Sequence, residues 1–357
     1  MFYTGGTTGF PKGVMLTHNS VTASSMALIG EGLAPKGGRM LIAAPLFHIA
    51  GWCVMITTLM RGNTQVLMPM FNSAQVLEVI EKYRITDTML VPTMIQMLLE
   101  QPEVDSSDLS SLARMLYGAS PMPQSMIELV MQKMPDVELM QAYGMTEASP
   151  LITLSGPENH TREGVKSGRV RSAGRAGILQ EIRIVDEDGN DVPQGGVGQV
   201  LVRGANIMTG YWGNPGGTAK TIVDGWMHTG DGGLLDEDGY LYIVDRLKDM
   251  IISGGENIYS TEVENAVIAH DGVAQCAAIG IPDKDWGEIV HVVIVPATGA
   301  EPTLQDIKNH CKQLVAGFKC PRSISLANSL PVSGAGKVLK TELRKPFWAD
   351  HDASVDQ

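Results

Sequence analysis

The stretch Tyr3–Gly13, YTGGTTGFPKG, constrains this chain more than any other. Gly5, Gly6, Gly9 and Gly13 stand among Thr4, Thr7, Thr8 and Lys12, behind the apolar lead-in Met1–Tyr3. Glycine admits positive φ and lets backbone amides approach a ligand closely. Successive amides in such a turn form an anion nest, to which the threonine hydroxyls and Lys12 add donors. The physical reading is a polyphosphate loop; the bland reading is a surface turn rich in small residues. The signature GxxxxGK[ST] is absent, because Gly13 follows Lys12 where a Ser or Thr would hold magnesium. A dinucleotide fingerprint fits no better, since the loop does not open directly into a helix.

Around that loop the hydrophobic pattern is that of an α/β layer. Met40–Ala44, Ile85–Val91, Leu112–Tyr117 and Glu138–Ala142 read as short buried strands. Between them, Asn72 or Ser73 caps a helix with Val76, Leu77, Val79, Ile80 and Tyr83 on one face, and Gln124–Lys133 forms another. From about Gly164 the pattern changes to glycine-punctuated strands, Glu181–Val185, Gly198–Arg203 and Tyr240–Val244, suggesting an antiparallel unit. After Arg246–Asp249 come a helix at Glu262–Ala269, strands at Val273–Ile279, Ile289–Val295 and Ser323–Leu326, and a helix opened by Thr303 and Asp306. Thr261 and Glu264 are spaced as a capping box, and Asp283–Glu288 reads as a charged loop. The expected fold is a layered α/β N-terminal region with an antiparallel β subdomain, followed by a small mobile C-terminal α+β domain. The expected domains are 1–163, 164–245 and 246–357.

A length of 357 residues accommodates such an arrangement. A net charge of −12 argues against nucleic-acid partners, which need a basic footprint, yet local amides and lysines can hold an anion on an acidic protein. Cys53, Cys276, Cys311 and Cys320 follow no ligand or disulfide spacing, so a reducing, cytoplasmic setting with unpaired thiols is expected. No signal peptide is visible. The most membrane-like segment, Ala43–Met60, contains Pro45, His48, Gly51 and Trp52 and reads as a strand-turn-helix passage rather than a transmembrane span.

Thr4–Gly13 resembles the phosphate-loop motif of the adenylate-forming superfamily, which includes acyl-CoA synthetases, luciferases and peptide-synthetase adenylation domains. Gly5 stands where that family has Ser, which removes one hydroxyl and leaves the backbone nest. Further motifs resemble the same family in its order. The resemblance implies ATP or AMP bound by Thr4, Gly5, Gly6, Thr7, Thr8, Gly9 and Lys12, and an adenine pocket at Gly118–Ala119–Ser120. In Tyr143–Gly144–Met145–Thr146–Glu147 it implies that Tyr143 packs on the base beside Gly144, Thr146 donates to phosphate and Glu147 holds Mg²⁺. In Trp226–Asp231, Asp231 follows a tight Thr-Gly turn and accepts the ribose hydroxyls, and Arg246 clamps ribose or phosphate. His48 in Pro45–Gly51 is implied as an acyl-pocket or thiol-channel gate, Lys248 as the hinge, and Gly254 and Gly255 as backbone along the pantetheine arm of coenzyme A. Lys337 in Leu330–Lys340, rather than Lys340, matches the family's catalytic lysine.

The implied reaction activates a carboxylic acid as acyl-AMP and transfers the acyl group to coenzyme A. Ile49, Trp52 and Val54 around His48 favour an aliphatic or fatty acid. The alternatives are an aryl-acid ligase and a non-catalytic remnant that retains adenine-nucleotide binding. Relatives of this type carry a long segment before the phosphate loop. The chain is therefore expected to be a shortened form, with a missing N-terminal segment or self-association to cover apolar surface.

Overall fold

The computed structural model describes residues 1–4, 11–332 and 338–348. Gly5, Gly6, Thr7, Thr8, Gly9 and Lys337 lie outside these residues. The chain divides into two units, the first comprising Met1–Thr229 with Gly233–Ile243 and the second Gly230–Gly232 with the chain from Val244 onward.

The first unit is built on a seven-stranded sheet. Its order is Thr64–Leu67, Arg39–Ile42, Asp87–Leu90, Arg114–Gly118, Glu138–Tyr143, Thr153–Ser155 and Arg175–Ala176. The first five strands are mutually parallel, and the last two pair antiparallel. Because side chains alternate along a strand, each sheet face collects every second residue. Leu41, Leu90, Met115, Tyr117 and Leu139 meet the helices Ser73–Tyr83, Pro92–Leu99 and Gln124–Lys133 through Val76, Leu77, Ile80, Ile95, Ile127 and Val130. Met40, Ile42, Met89, Leu116 and Met140 meet His18–Gly30 and Ile49–Met60 through Ala27, Leu28, Cys53 and Val54. Each fully buried aliphatic side chain contributes about 1.5–3 kcal/mol, so both layers depend on this alternation. Asn72 caps its helix as expected, accepting from the Gln75 amide at 3.0 Å.

A smaller antiparallel sheet joins Phe2–Thr4, Lys12–Met15 and Gly210–Tyr211. A third contains Gln180–Val185, Gly198–Gly204, Ile222–Val223 and Trp226–Leu235, with Leu241–Arg246 beside the last. No helix among the described residues is long and apolar enough to cross a membrane.

In the second unit, Gly287–Pro296 pairs with Val273–Asp283 on one side and runs parallel to Ser323–Leu326 on the other. The hairpin Ile251–Ser253 and Glu256–Ile258 extends this sheet. One face packs Val290, Val292 and Ile294 against Val263, Val267, Ile307 and Cys311 of helices Ser260–Ile268 and Leu304–Cys311. On the other, Ala277 and Val293 meet Leu330, Val338 and Leu343.

Two local expectations change. Glu264 closes no capping box: the helix begins at Ser260 with Tyr259 as an N-cap that makes no side-chain bond. Glu264 instead accepts from the Ala278 amide at 2.8 Å. The expected charged loop shrinks, because the strands continue to Asp283 and resume at Gly287. All four cysteines are free thiols; Cys53, Cys311 and Cys320 are buried and Cys276 is half-buried.

Candidate functional site

The adenine-loop candidates leave the same end of two adjacent strands. Arg114–Gly118 and Glu138–Tyr143 are parallel, with Gly118 opposite Ala142. The loops Gly118–Ser120 and Tyr143–Glu147 therefore start side by side at the carboxyl edge, where open α/β sheets bind ligands. The backbone is tightly packed there. A Cβ on Gly118 would stand 2.4 Å from the Ala142 carbonyl oxygen, and one on Gly144 would stand 1.8 Å from that of Pro150. Ala119 has φ +69°, a left-handed conformation that costs an L residue of order 1–3 kcal/mol and concentrates at functional sites.

A buried polar group lies directly behind these loops. The Nδ1 of His160 stands 2.9 Å from the Gly156 carbonyl, which only accepts, so Nδ1 carries the proton. Nε2 then accepts from the Tyr117 hydroxyl at 2.9 Å, and that hydroxyl also stands 3.2 Å from Gln141 Oε1. Burial lowers the His160 pKa and raises that of Tyr117, keeping both neutral.

Glu147 sits on the short turn Thr146–Ala148, with Thr146 half-buried beside it. Its carbonyl accepts from the Met208 amide at 2.8 Å, and its carboxylate Oε1 accepts from the Tyr211 hydroxyl at 2.8 Å. Both side chains are buried. Tyr211 lies on a strand paired with Lys12–Met15, and the Lys12 ammonium stands 4.8 Å above its ring. Thr4 faces Lys12 across the first hairpin. Lys12, Tyr211 and Glu147 thus form one connected group.

Magnesium takes one or two carboxylates and completes its shell with phosphate oxygens and water. No cluster of three or more His, Cys, Asp or Glu that could enclose a metal occurs among the described residues. A single buried carboxylate, with Oε1 held by a hydroxyl and Oε2 accepting no hydrogen bond among the described residues, fits the magnesium mode.

His48 occupies the N-cap of Ile49–Met60, half-buried and tilted against Phe47 at 5.3 Å. Burial lowers its pKa and favours the neutral imidazole. Ile49 and Val54 beside it are buried, giving the helix start an apolar lining.

In the second unit, Asp231 is buried and its Oδ1 stands 3.2 Å from Arg246 Nε. The expected Thr-Gly turn is instead part of the continuous strand Trp226–Leu235, in which Gly230 takes φ +74°. The Arg246 amide donates to Asp245 Oδ1 at 2.7 Å, and the other Asp245 oxygen accepts from the Ser260 amide. Lys248 is exposed on the turn Leu247–Asp249. Its carbonyl accepts from Arg344 Nη1 at 3.0 Å, while Arg344 also grips the Asp249 carboxylate and carbonyl. Gly254 and Gly255 form the hairpin turn, with φ +62° and +84°, the geometry in which two glycines are least strained. The Gly254 amide donates to the Trp286 carbonyl at 2.8 Å.

The described residues flanking Lys337 are firmly anchored. Val332 bridges Val338, and the Leu339 amide donates to Pro331 O at 2.8 Å. Lys340 Nζ stands 2.7 Å from Glu264 Oε1 and 2.5 Å from Ser260 Oγ. Sequence reasoning missed Tyr211, His160 and the Lys340–Glu264 pair. Their partners are distant in the chain, and no local spacing marks them.

Residues 1–212 match the family model "AMP-binding enzyme", and residues 262–337 match "AMP-binding enzyme C-terminal domain". The chain is 41% identical over 348 residues to a feruloyl-CoA synthase from Amycolatopsis sp, covering 97% of this chain and 69% of that protein. It is 39% identical to a medium/long-chain-fatty-acid–CoA ligase from Mycobacterium tuberculosis, covering 97% of this chain and 61% of the relative. An o-succinylbenzoate coenzyme A synthetase from Bacillus subtilis, solved with ATP and magnesium ion, superposes with a TM-score of 0.85 at 33% identity, covering 96% of this chain and 69% of that one. The fold and these likenesses define an adenylate-forming ligase. The chain belongs to the AMP-binding enzyme family.

Proposed function

We propose that this chain uses MgATP to convert an aliphatic or fatty carboxylic acid to acyl-AMP, then passes the acyl group to the thiol of coenzyme A. The observation that carries the reading is the grouping of Lys12, Tyr211 and Glu147 in the same unit as the two loops at the carboxyl edge of the sheet. Gly118, Ala119 and Ser120 provide a flat backbone surface for adenine, with Tyr143 packing on the base beside Gly144. Thr4, Gly5, Gly6, Thr7, Thr8, Gly9, Lys12 and Thr146 donate to the phosphates. Asp231 accepts from the ribose hydroxyls while Arg246 orients its carboxylate.

Carboxylate and triphosphate repel one another, so the first step needs cationic alignment of the acid on the α-phosphorus. Lys337 supplies it by contacting both anions. Glu147 would hold Mg²⁺, which when bound supplies positive charge to the phosphates. The carboxylate oxygen forms the new bond to phosphorus as pyrophosphate leaves. In the second step the thiol attacks the acyl carbon, its proton is lost and AMP departs. Gly254 and Gly255 offer backbone to the pantetheine arm, Lys248 serves as the hinge, and neutral His48 gates the acyl pocket.

The relatives named above include an aryl-acid and a fatty-acid ligase, so an aryl acid is the second reading. ATP–pyrophosphate exchange over straight-chain acids of increasing length and hydroxycinnamate-type acids discriminates them. Exchange rising with chain length supports the aliphatic proposal, exchange confined to aryl acids replaces it, and no acid-dependent exchange overturns the activity.

A further inference from the structure

We infer that Tyr211 is a positioning residue that sets the metal-binding carboxylate and the phosphate-loop lysine in one fixed arrangement. The inference rests on the reading of Glu147 as the magnesium ligand and Lys12 as a phosphate donor. Tyr211 presents two different surfaces to these groups. Its hydroxyl donates to Glu147 Oε1 at 2.8 Å, whereas its ring lies 4.8 Å beneath the Lys12 ammonium.

The backbone around the residue is held from both sides. Tyr211 is registered opposite Val14, and its amide donates to Thr218 Oγ1 at 2.9 Å. The next amide, of Trp212, donates to the Gly13 carbonyl at 2.7 Å, and the Met208 amide reaches the Glu147 carbonyl at 2.8 Å. The short segment Met208–Trp212 therefore touches the strand carrying Lys12 and the turn carrying Glu147.

The chemistry follows from this placement. A hydroxyl donor on one carboxylate oxygen restrains rotation and leaves the other oxygen for a cation. The aromatic face offers Lys12 a cation–π platform that positions its charge without neutralising it. A carboxylate in place of that ring would pair with the lysine and compete with phosphate. Tyrosine performs both tasks; phenylalanine retains only the second.

The test is calorimetric titration of this chain with MgATP, and with ATP in excess chelator, for Tyr211→Phe, Tyr211→Leu, Glu147→Gln and the Tyr211→Phe/Glu147→Gln double variant. Loss of a hydrogen bond to a charged group predicts about tenfold weaker MgATP binding for Tyr211→Phe, with metal-free ATP binding close to that of the parent. Tyr211→Leu weakens both, because the platform for Lys12 is also removed. The double variant binds MgATP no more weakly than Glu147→Gln alone, since the hydroxyl acts through that carboxylate. If Glu147→Gln leaves the magnesium dependence of ATP binding intact, the assignment of Glu147 fails. If Glu147→Gln abolishes that dependence while Tyr211→Phe leaves MgATP affinity unchanged, or weakens metal-free ATP equally, the role of Tyr211 is overturned. Circular dichroism melts of each variant separate these results from unfolding.

Discussion

Replacing Lys340 by methionine keeps an extended apolar stem and removes the charge that faces Glu264 at 2.7 Å. The side chains are 13% and 22% exposed, so the pair is largely withdrawn from water. Breaking a buried pair by removing one partner costs about 3–5 kcal/mol. Partial hydration of this pair places the expected loss near 3 kcal/mol at neutral pH. The cost also depends on pH. Burial, the largest influence, raises the Glu264 pKa, while Lys340 and the Ala278 amide pull it back, so removing Lys340 raises it further. A carboxyl with a raised folded pKa binds its proton more tightly folded than unfolded. The stability tied to that proton is fully present below the unfolded pKa and is lost as pH rises through the folded value. The penalty of Lys340→Met is therefore smaller at pH 5 than at pH 8. Urea unfolding followed by tryptophan emission at both pH values measures it, with unchanged m confirming that the same surface unfolds. Adding Glu264→Gln removes the stranded charge and recovers all but about 1 kcal/mol. A loss below about 1 kcal/mol, the same loss at both pH values, or no recovery in the double variant would refute this account.

Three further outcomes follow from the sites. Gly118→Ala forces a methyl group against the Ala142 carbonyl, so chemical denaturation should show a loss of about 2–4 kcal/mol and calorimetry weakened ATP binding. Asp231→Ala should weaken MgATP binding by about tenfold or more, measured on protein whose circular dichroism matches the parent, since hydrogen bonds from ribose to a charged acceptor are lost. Lys337→Ala, in quenched assays of each half-reaction, should lower acyl-AMP formation by about a hundredfold or more. The same variant should convert supplied acyl-adenylate and coenzyme A at close to the parent rate; equal slowing of both steps would remove Lys337 from its assigned role.

Helix Gln124–Lys133 and strand Ser323–Leu326 were legible in the sequence because their apolar periodicity and flanking turns agree with their tertiary roles. Glu264 was misread because a local capping pattern competes with a distant amide and ammonium, and the distant partners win. Charged residues at Asp283–Glu288 suggested a long loop, although strand pairing continues to Asp283 opposite Gly287. Asp231 was singled out, but its supposed turn is a strand bent at Gly230. The motif residues carry the outline of the nucleotide site proposed above. Tyr211, its bridging element, bonds a partner 64 positions away and leaves no periodic trace.

The distribution of thiols makes the two units separately observable. Cys53 is sealed in the core of the first, whereas Cys311 and Cys320 are sealed in that of the second, with Cys276 half-buried beside them. Burial raises the pKa of Cys53 to about 11 and that of Cys311 to about 11, so neither presents an appreciable thiolate to an alkylating reagent in the native state. Modification of each must await an opening that admits both water and reagent. Mass spectrometry of a labelling time course then reads two clocks from one native chain. Cys53 reports excursions of the large sheet and Cys311 those of the smaller unit, so substrates that steady one unit more than the other would slow their own clock without any introduced probe.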